Sequence, residues 1–453
     1  MTFHFRPLIV PIFLGLCLLL GGASAAGYPA NMLLQLAAIP IIAWSLLAER
    51  SAPLPRVARQ LTILLLAMAA IIVIQLIPLP PAVWSALPGR EEAAAGYRLF
   101  GAPLPWLPLS LTPDRTVASA LWLLPALAVL LAMLRGGAYN PELLAGILLA
   151  VALAGIGIGA VQRAGNEAAY FYEITNRGLG TGFFANGNHM ATLLMCAIPF
   201  LSAFYLVARS RSRTAQRSSA LLVILAGTLG VLIIGLAING SRAGLGLAVP
   251  VLCASGLMLL SRKRRIPAWS VVPLLALSLV GIGIVFFSPV GNDFTQQVKD
   301  VSISRSTFFP NTVRAAFDYL PLGSGVGSFT SVYPLYENQA IITNTYANHA
   351  HSDLLELFLE TSLPGMVVLA LFLIWWTHRA VVIWRSEEVD QFARAATIAS
   401  AAILAHSLVD YPLRTAAVSA MFAVCCALMA EARPWVRPRR TTGQTQARHL
   451  SVA

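Results

Sequence analysis

Apolar residues along this chain fall into long blocks with few or no charges, rather than in the alternating or one-sided patterns of soluble strands and helices. A helix needs roughly 20 apolar residues to cross a bilayer. Twelve stretches approach that length, at 8–26, 30–48, 61–77, 117–134, 143–161, 190–207, 220–238, 244–260, 269–288, 363–377, 395–409 and 415–431. Inside lipid every backbone polar group must be satisfied within its own segment, so these stretches predict helices and an all-α polytopic membrane protein. The predicted order is a membrane domain over 1–288, a large loop carrying short helices over 289–362, three further spans over 363–432 and a basic tail over 433–453.

Composition agrees with that pattern. Of 453 residues, 57% are hydrophobic and 11% charged, against about 25% charged in a soluble domain, which excludes an ordinary soluble enzyme. The net charge of +12 becomes informative only when sorted by side. With a cytoplasmic N-terminus, 21 of the 31 Lys and Arg residues fall on the inside connections and 10 outside. That bias orients a polytopic protein with both termini cytoplasmic and does not call for nucleic acid. The first span ends in Ala23-Ser24-Ala25, which looks like a signal-peptidase site; an uncleaved anchor is the preferred expectation. The five cysteines all lie in apolar stretches, with no CxxC or metal-ligand spacing.

Three outside connections hold most of the remaining mass. Residues 78–116 contain eight prolines, which forbid a long helix and favour extended, irregular chain. Residues 162–189 are short and polar. The 74 residues of 289–362 exceed any ordinary connector and are expected to fold at the membrane surface and carry function.

The predicted spans hold Gln35, Gln75 and, near an outer end, His406, but no buried acid–base relay. Ion-coupled transporters place ionisable groups at mid-membrane, so a transporter is disfavoured. The chemistry-bearing residues gather instead at the outer rim: Arg177, Arg242, His349, His351, Asp353, Asp410 and Arg414. A rim arginine can simply snorkel to lipid headgroups. Two features favour a ligand. The outside face is the one that orientation depletes of arginine, and Arg242 sits in the tight turn Asn239-Gly240-Ser241-Arg242-Ala243-Gly244. Arg177 opens a glycine- and asparagine-rich segment running to Asn186 and Asn188, where backbone can approach a ligand closely. Two such arginines can clamp a diphosphate through charge-assisted contacts.

His351 stands just before Ser352 and Asp353, either of which can cap a short amphipathic helix that Pro364-Gly365 ends before the next span. His-Ala-His fits no standard helical zinc spacing, so no metal is expected; an imidazole suits proton abstraction from a hydroxyl. The run Gly323-Ser324-Gly325-Val326-Gly327 lacks the Gly-Lys-Ser/Thr ending of a P-loop and is read as a turn that shapes the loop. Tyr333, Tyr336 and Tyr346 can stack on sugar faces or merely sit at the interface.

Taken in order, Leu109 to Thr116, Arg177 to Ala191, Ser241-Arg242-Ala243-Gly244, Pro321 to Phe329, His351 to Glu356 with Leu363-Pro364-Gly365, and His406 to Arg414 resemble the O-antigen ligase and polymerase family of bacterial membrane glycosyltransferases. The chain departs from the family at Ser352, where asparagine is common. The resemblance implies transfer of a glycan from undecaprenyl diphosphate to an acceptor hydroxyl at the periplasmic face of the inner membrane, with no cofactor, metal or nucleotide. It implies a functional trio at Arg177, Arg242 and His351, and substrate contacts from Asn186, Asn188, Arg314, His349, Asp353, Asp410 and Arg414. Implied partners are the lipid-linked donor, a glycan or lipid A core acceptor, membrane lipids and a chain-length regulator. The His406 to Arg414 segment is similar to that of exopolysaccharide-linked members, which favours a polymerase over a ligase.

Overall fold

The structure, a computed structural model, describes residues 6–25, 27–47, 53–261, 299–337, 347–386 and 390–431, with a few isolated positions between 272 and 280. The predicted span at 269–288, apart from those positions, the tail at 433–453 and Tyr346 lie outside the described residues. Every other predicted span coincides with a helix: α1 (Ile9–Leu20), α2 (Pro29–Leu47), α3 (Arg56–Gln75), α4 (Pro81–Trp84) and α5 (Glu91–Leu99) in the proline-rich connection, α6 (Pro113–Trp122), α7 (Leu124–Leu134), α8 (Pro141–Arg163), α9 (Gly187–Ser210), α10 (Ala215–Asn239), α11 (Arg242–Leu260), α12 (Lys299–Asp318), α13 (Phe329–Val332), α14 (Asp353–Arg385), α15 (Gln391–His406) and α16 (Ala416–Glu431). Among the described residues, eight helical stretches are long and apolar enough to cross a membrane, α6 with α7 counting as one.

The bundle is arranged around α9, whose apolar window is 89% buried. It packs against α15, α11, α10 and α8, while α16 fills the space between α7, α15 and α1. The perimeter helices α2, α3 and α10 turn Leu33, Leu36, Leu66, Val223 and Ile234 outward. In lipid such a surface needs no polar cover, so this is a membrane protein with its ordinary exterior.

Three sequence expectations are modified. The first span was expected to reach residue 26, but α1 ends at Leu20, because Gly21 and Gly22 are drawn into close backbone packing. Gly21 O accepts from Ala417 N at 3.1 Å and Gly22 O from Ala185 N at 3.1 Å, and a Cβ on Gly22 would lie 2.1 Å from the Phe183 carbonyl oxygen. The connection at 78–116 is expected to be irregular, and Pro88, Pro103 and Pro105 do lie in turns or irregular chain, but its other five prolines sit at helix starts and strand positions where they do least harm. Pro81 opens α4, and β1 (Pro78–Leu79) pairs antiparallel with β2 (Leu107–Pro108), Pro78 opposite Pro108. Finally, the helix starting at Asp353 does not end before the next span. It continues to Arg385 through a kink at Ser362, where φ is 46° and ψ is −135°.

That kink is built into a junction. Gln75, the last residue of α3, donates from Nε2 to Glu360 O at 2.9 Å and accepts from Val326 N at 2.9 Å. The glycine-rich turn packs against the same helix. Gly325 N donates to Glu360 O at 3.0 Å, and a Cβ on Gly323, at φ +85°, would lie 2.5 Å from that same oxygen. The turn therefore shapes the loop, as its missing lysine suggested.

Candidate active site

The chain folds so that several helix ends meet beneath one turn, residues 347–352. Ser352 caps α14 by accepting from Leu355 N at 3.3 Å, and its neighbour His351 adopts φ +51°, a conformation that costs a non-glycine residue on the order of 1–3 kcal/mol. Surrounding rings hold it there. Phe308 of α12 stacks on the imidazole at 5.5 Å, and Tyr411 meets it edge-on at 5.1 Å. The His351 side chain keeps 21% exposure, so it is anchored but reachable.

Beneath it lies Asp410, fully buried in the turn between α15 and α16. His351 Nδ1 stands 3.8 Å from Asp410 Oδ1, and His189 Nε2 of α9 stands 4.0 Å from Oδ2. Burial alone would raise the pKa of Asp410, but the facing His351, with His189 and His406, holds it well below the usual carboxylate range. A charged carboxylate that faces Nδ1 selects the tautomer with its proton there and leaves Nε2 as a base. His406 completes the buried group by pairing its Nδ1 with Thr192 Oγ1 at 2.8 Å.

Tyr411 joins this group to the start of α9. Its ring contacts His189, His349 and His351, and its hydroxyl is hydrogen-bonded with Asn348, Asn186 and Ser24. Asn186 caps α9 through Asn188 N at 2.8 Å, and Asn188 Oδ1 accepts from Ser241 Oγ, the α11 cap, at 2.6 Å. Two long helix N-termini thus sit side by side near His351, each presenting positive dipole and backbone N–H groups. Arg242 is the first residue of α11.

The other predicted residues have more local partners. Arg177 is half exposed, paired with Glu167 and 5.8 Å from the ring centre of Tyr170; nothing in the described residues brings it against His351. Arg314 is exposed, with its guanidinium over Tyr336 at 6.0 Å. Arg414 is surrounded by three carboxylates of one α14 face: Asp353 at 3.6 Å, Glu356 at 3.4 Å and Glu360 at 3.1 Å. His349 Nδ1 lies 2.9 Å from Glu356 Oε1, and Ser407 donates to Asp353 at 2.8 Å. Asp353, Arg414 and His349 therefore form a knot that fixes the 347–352 turn to the 407–415 turn, and Arg414 has little positive charge left to offer a ligand.

Sequence reasoning missed His189, Glu356, Glu360 and Tyr411 as site residues. His189, Glu356 and Tyr411 lie inside quoted motifs and Glu360 falls between two of them, but only the fold shows His189 beneath Asp410. His189 and His406 are buried at the ends of α9 and α15, where the sequence predicts only His406. Among the described residues no group of three or more His, Cys, Asp or Glu side chains is arranged to hold a metal ion.

Adjoining the turn is a cavity of about 780 Å³, lined by α3, α6, the glycine-rich turn, Asn348, His349 and the acidic face of α14.

No curated protein matches this chain. Residues 227–373 match a family model described as O-antigen ligase. The matched stretch includes Ser241-Arg242, the glycine-rich turn, His351 and the α14 carboxylates, while His189, Asp410 and Arg414 lie outside it. Over this segment the chain is similar to the O-antigen ligase family.

Proposed function

We propose that this protein transfers a glycan from a polyprenyl diphosphate, undecaprenyl diphosphate by the family resemblance, to an acceptor hydroxyl at the periplasmic face of the bacterial inner membrane. The observation that carries the proposal is the partly exposed imidazole of His351 held over the buried carboxylate of Asp410. In the step, the acceptor oxygen attacks the anomeric carbon as His351 Nε2 takes its proton. The bond from that carbon to the phosphate oxygen breaks, and the lipid diphosphate leaves with the electron pair. One displacement inverts the anomeric centre.

The departing oxygen gains negative charge, which the paired N-termini of α9 and α11, with Arg242, can stabilise before any reorganisation. Arg177 joins them if the donor diphosphate displaces Glu167 from its guanidinium. Asn186 and Asn188 orient these helix ends, and Arg314 with Tyr336 offers a further contact outside the bundle. His351 and the α9–α11 N-termini work without metal or nucleotide in this scheme.

The proposed role is that of a surface-polysaccharide polymerase, with ligation to lipid A core as the alternative and lipid-glycan transport a more distant one. Deleting the gene and measuring lipid-linked glycans tests all three. Accumulated single repeat units support the polymerase, and accumulated long chains support the ligase. Unchanged pools remove the transferase reading.

A further inference from the structure

We propose that His189 is a positioning residue: a buried imidazole that keeps its own proton throughout and, by aiming it at Asp410, holds that carboxylate ionised while His351 stands unprotonated and ready to act as a base. The proposal rests on the transferase reading for the word base; the pairing of His189 with Asp410 stands apart from it.

The need for such a residue follows from charge. Before the step His351 must be neutral, because a base that already holds its proton cannot take another. Asp410 then faces an uncharged imidazole and is fully buried, where a carboxylate without a partner takes up a proton rather than stay charged. A protonated Asp410 could give His351 Nδ1 a donor in place of an acceptor and so select the wrong tautomer. Something besides His351 has to favour the ionised form. Two imidazoles stand in ion-pairing range of the carboxylate, His351 Nδ1 at 3.8 Å from Oδ1 and His189 Nε2 at 4.0 Å from Oδ2. The guanidinium of Arg414 on the same turn is engaged by Asp353, Glu356 and Glu360, and His406 pairs its Nδ1 with Thr192.

His189 has the geometry for this role. It is the third residue of α9 and fully buried, so it cannot reach a substrate. Its backbone N–H closes the first turn on Asn186 O at 3.1 Å, and the Tyr411 ring meets the imidazole edge-on at 5.0 Å. Both contacts limit where the ring can point. Neither ring nitrogen has a hydrogen-bond partner among the described residues, so Asp410 is the polar group that Nε2 faces. A bare Nε2 would set its lone pair against those of the carboxylate, so Nε2 carries the ring proton. The 4.0 Å contact is longer than a hydrogen bond, as such contacts often are before substrate binds. In the step the acceptor's proton passes to His351 Nε2, His189 keeps its own, and Asp410 stays charged beside the new imidazolium.

The test uses the full-length protein in lipid nanodiscs. His189→Gln keeps an N–H that can face the carboxylate, and His189→Leu fills the space without one; His189→Met replaces the latter if it fails to fold. Infrared spectra, referenced to Asp410→Asn in each background, show whether Asp410 has the carbonyl band of a protonated carboxyl. At pH 7 wild type and His189→Gln should lack that band, and His189→Leu should show it. A band in wild type, or none in His189→Leu, overturns the assignment. In turnover at pH 7, His189→Leu should lower kcat about 10²-fold with both KM values unchanged, whereas His189→Gln should stay within about threefold of wild type. The deficit of His189→Leu should shrink as pH rises from 7 to 9, because alkali returns Asp410 to its ionised form. A deficit equal at every pH and shared by His189→Gln marks a packing role and overturns the proposal. The spectra need no turnover. An Asp410 that only His189→Leu protonates, in a protein that transfers no glycan, leaves the pairing standing and sinks the transferase reading, whereas transfer at a rate indifferent to His189 does the reverse.

Discussion

At the scale of single residues, the site depends on burying charge without leaving it unbalanced. Asp410 is fully buried and faced by His351 and His189, so its carboxylate can stay ionised only because those imidazoles are there. Replacing His351 by Ala should abolish transfer while the protein still inserts and purifies. Asp410→Asn keeps the shape but loses the charge that orients the imidazole, and should lower kcat by about 10²–10⁴; a wild-type rate in that variant would separate Asp410 from the mechanism. Two titrating groups outside the helices, Asp410 and His349, act oppositely on stability. Asp410 has a lowered folded pKa, so its contribution is present above the unfolded value of about 3.9 and is lost as pH falls through the folded one. For His349, burial lowers the pKa but the adjacent Glu356 raises it further, to a net increase. Its contribution is full below the unfolded value of about 6.5 and is lost as pH rises through the folded one. Thermal melts of the purified protein between pH 6 and 9 should show a fall in Tm that is smaller in His349→Gln.

At the scale of elements, the helix starts were legible and the kink was not. Ser352 caps α14 as its position in the sequence suggests, and Asn140, Asn186 and Ser241 cap α8, α9 and α11 in the same way. Pro364-Gly365 announced a break, but not that α14 would bend at Ser362 and keep going. The reason is tertiary. Gln75 and Gly325 take the Glu360 carbonyl, and the cap of the lower segment is replaced by packing against the 321–328 turn. Ser362→Gly should be neutral or slightly stabilising, because glycine accepts positive φ freely. Ser362→Val should lower stability by about 1–3 kcal/mol, measured by thermal unfolding in detergent; equal Tm values for the two variants would mean that the kink stores no strain. Gly323 makes the complementary case, since any Cβ there collides with Glu360 backbone.

At the scale of the whole molecule, the apolar blocks and the charge bias specify a helical bundle with one basic side, and the helices observed follow them. The native cysteines are buried or half-buried, which leaves the background low for a topology test. A cysteine introduced at exposed Glu173 should react with a membrane-impermeant maleimide from the periplasmic side, and one at exposed Arg213 only after permeabilisation. The reverse pattern would invert the protein and place the candidate site on the cytoplasmic side.

The sequence by itself determined that this is a helical membrane protein, where most of its long helices lie, and which short motifs hold polar residues at their ends. Those features are local: they follow from hydropathy over about 20 residues and from caps over three or four. The tertiary structure alone decided how the motifs share work. His189, His351 and Asp410 are separated by up to 221 positions in sequence yet meet within 4.0 Å, and Arg414, which the motif offers as a substrate contact, is neutralised by three carboxylates brought to it by α14. A side chain's chemistry depends on the charges and the water around it, and those are set by segments that no local pattern can name.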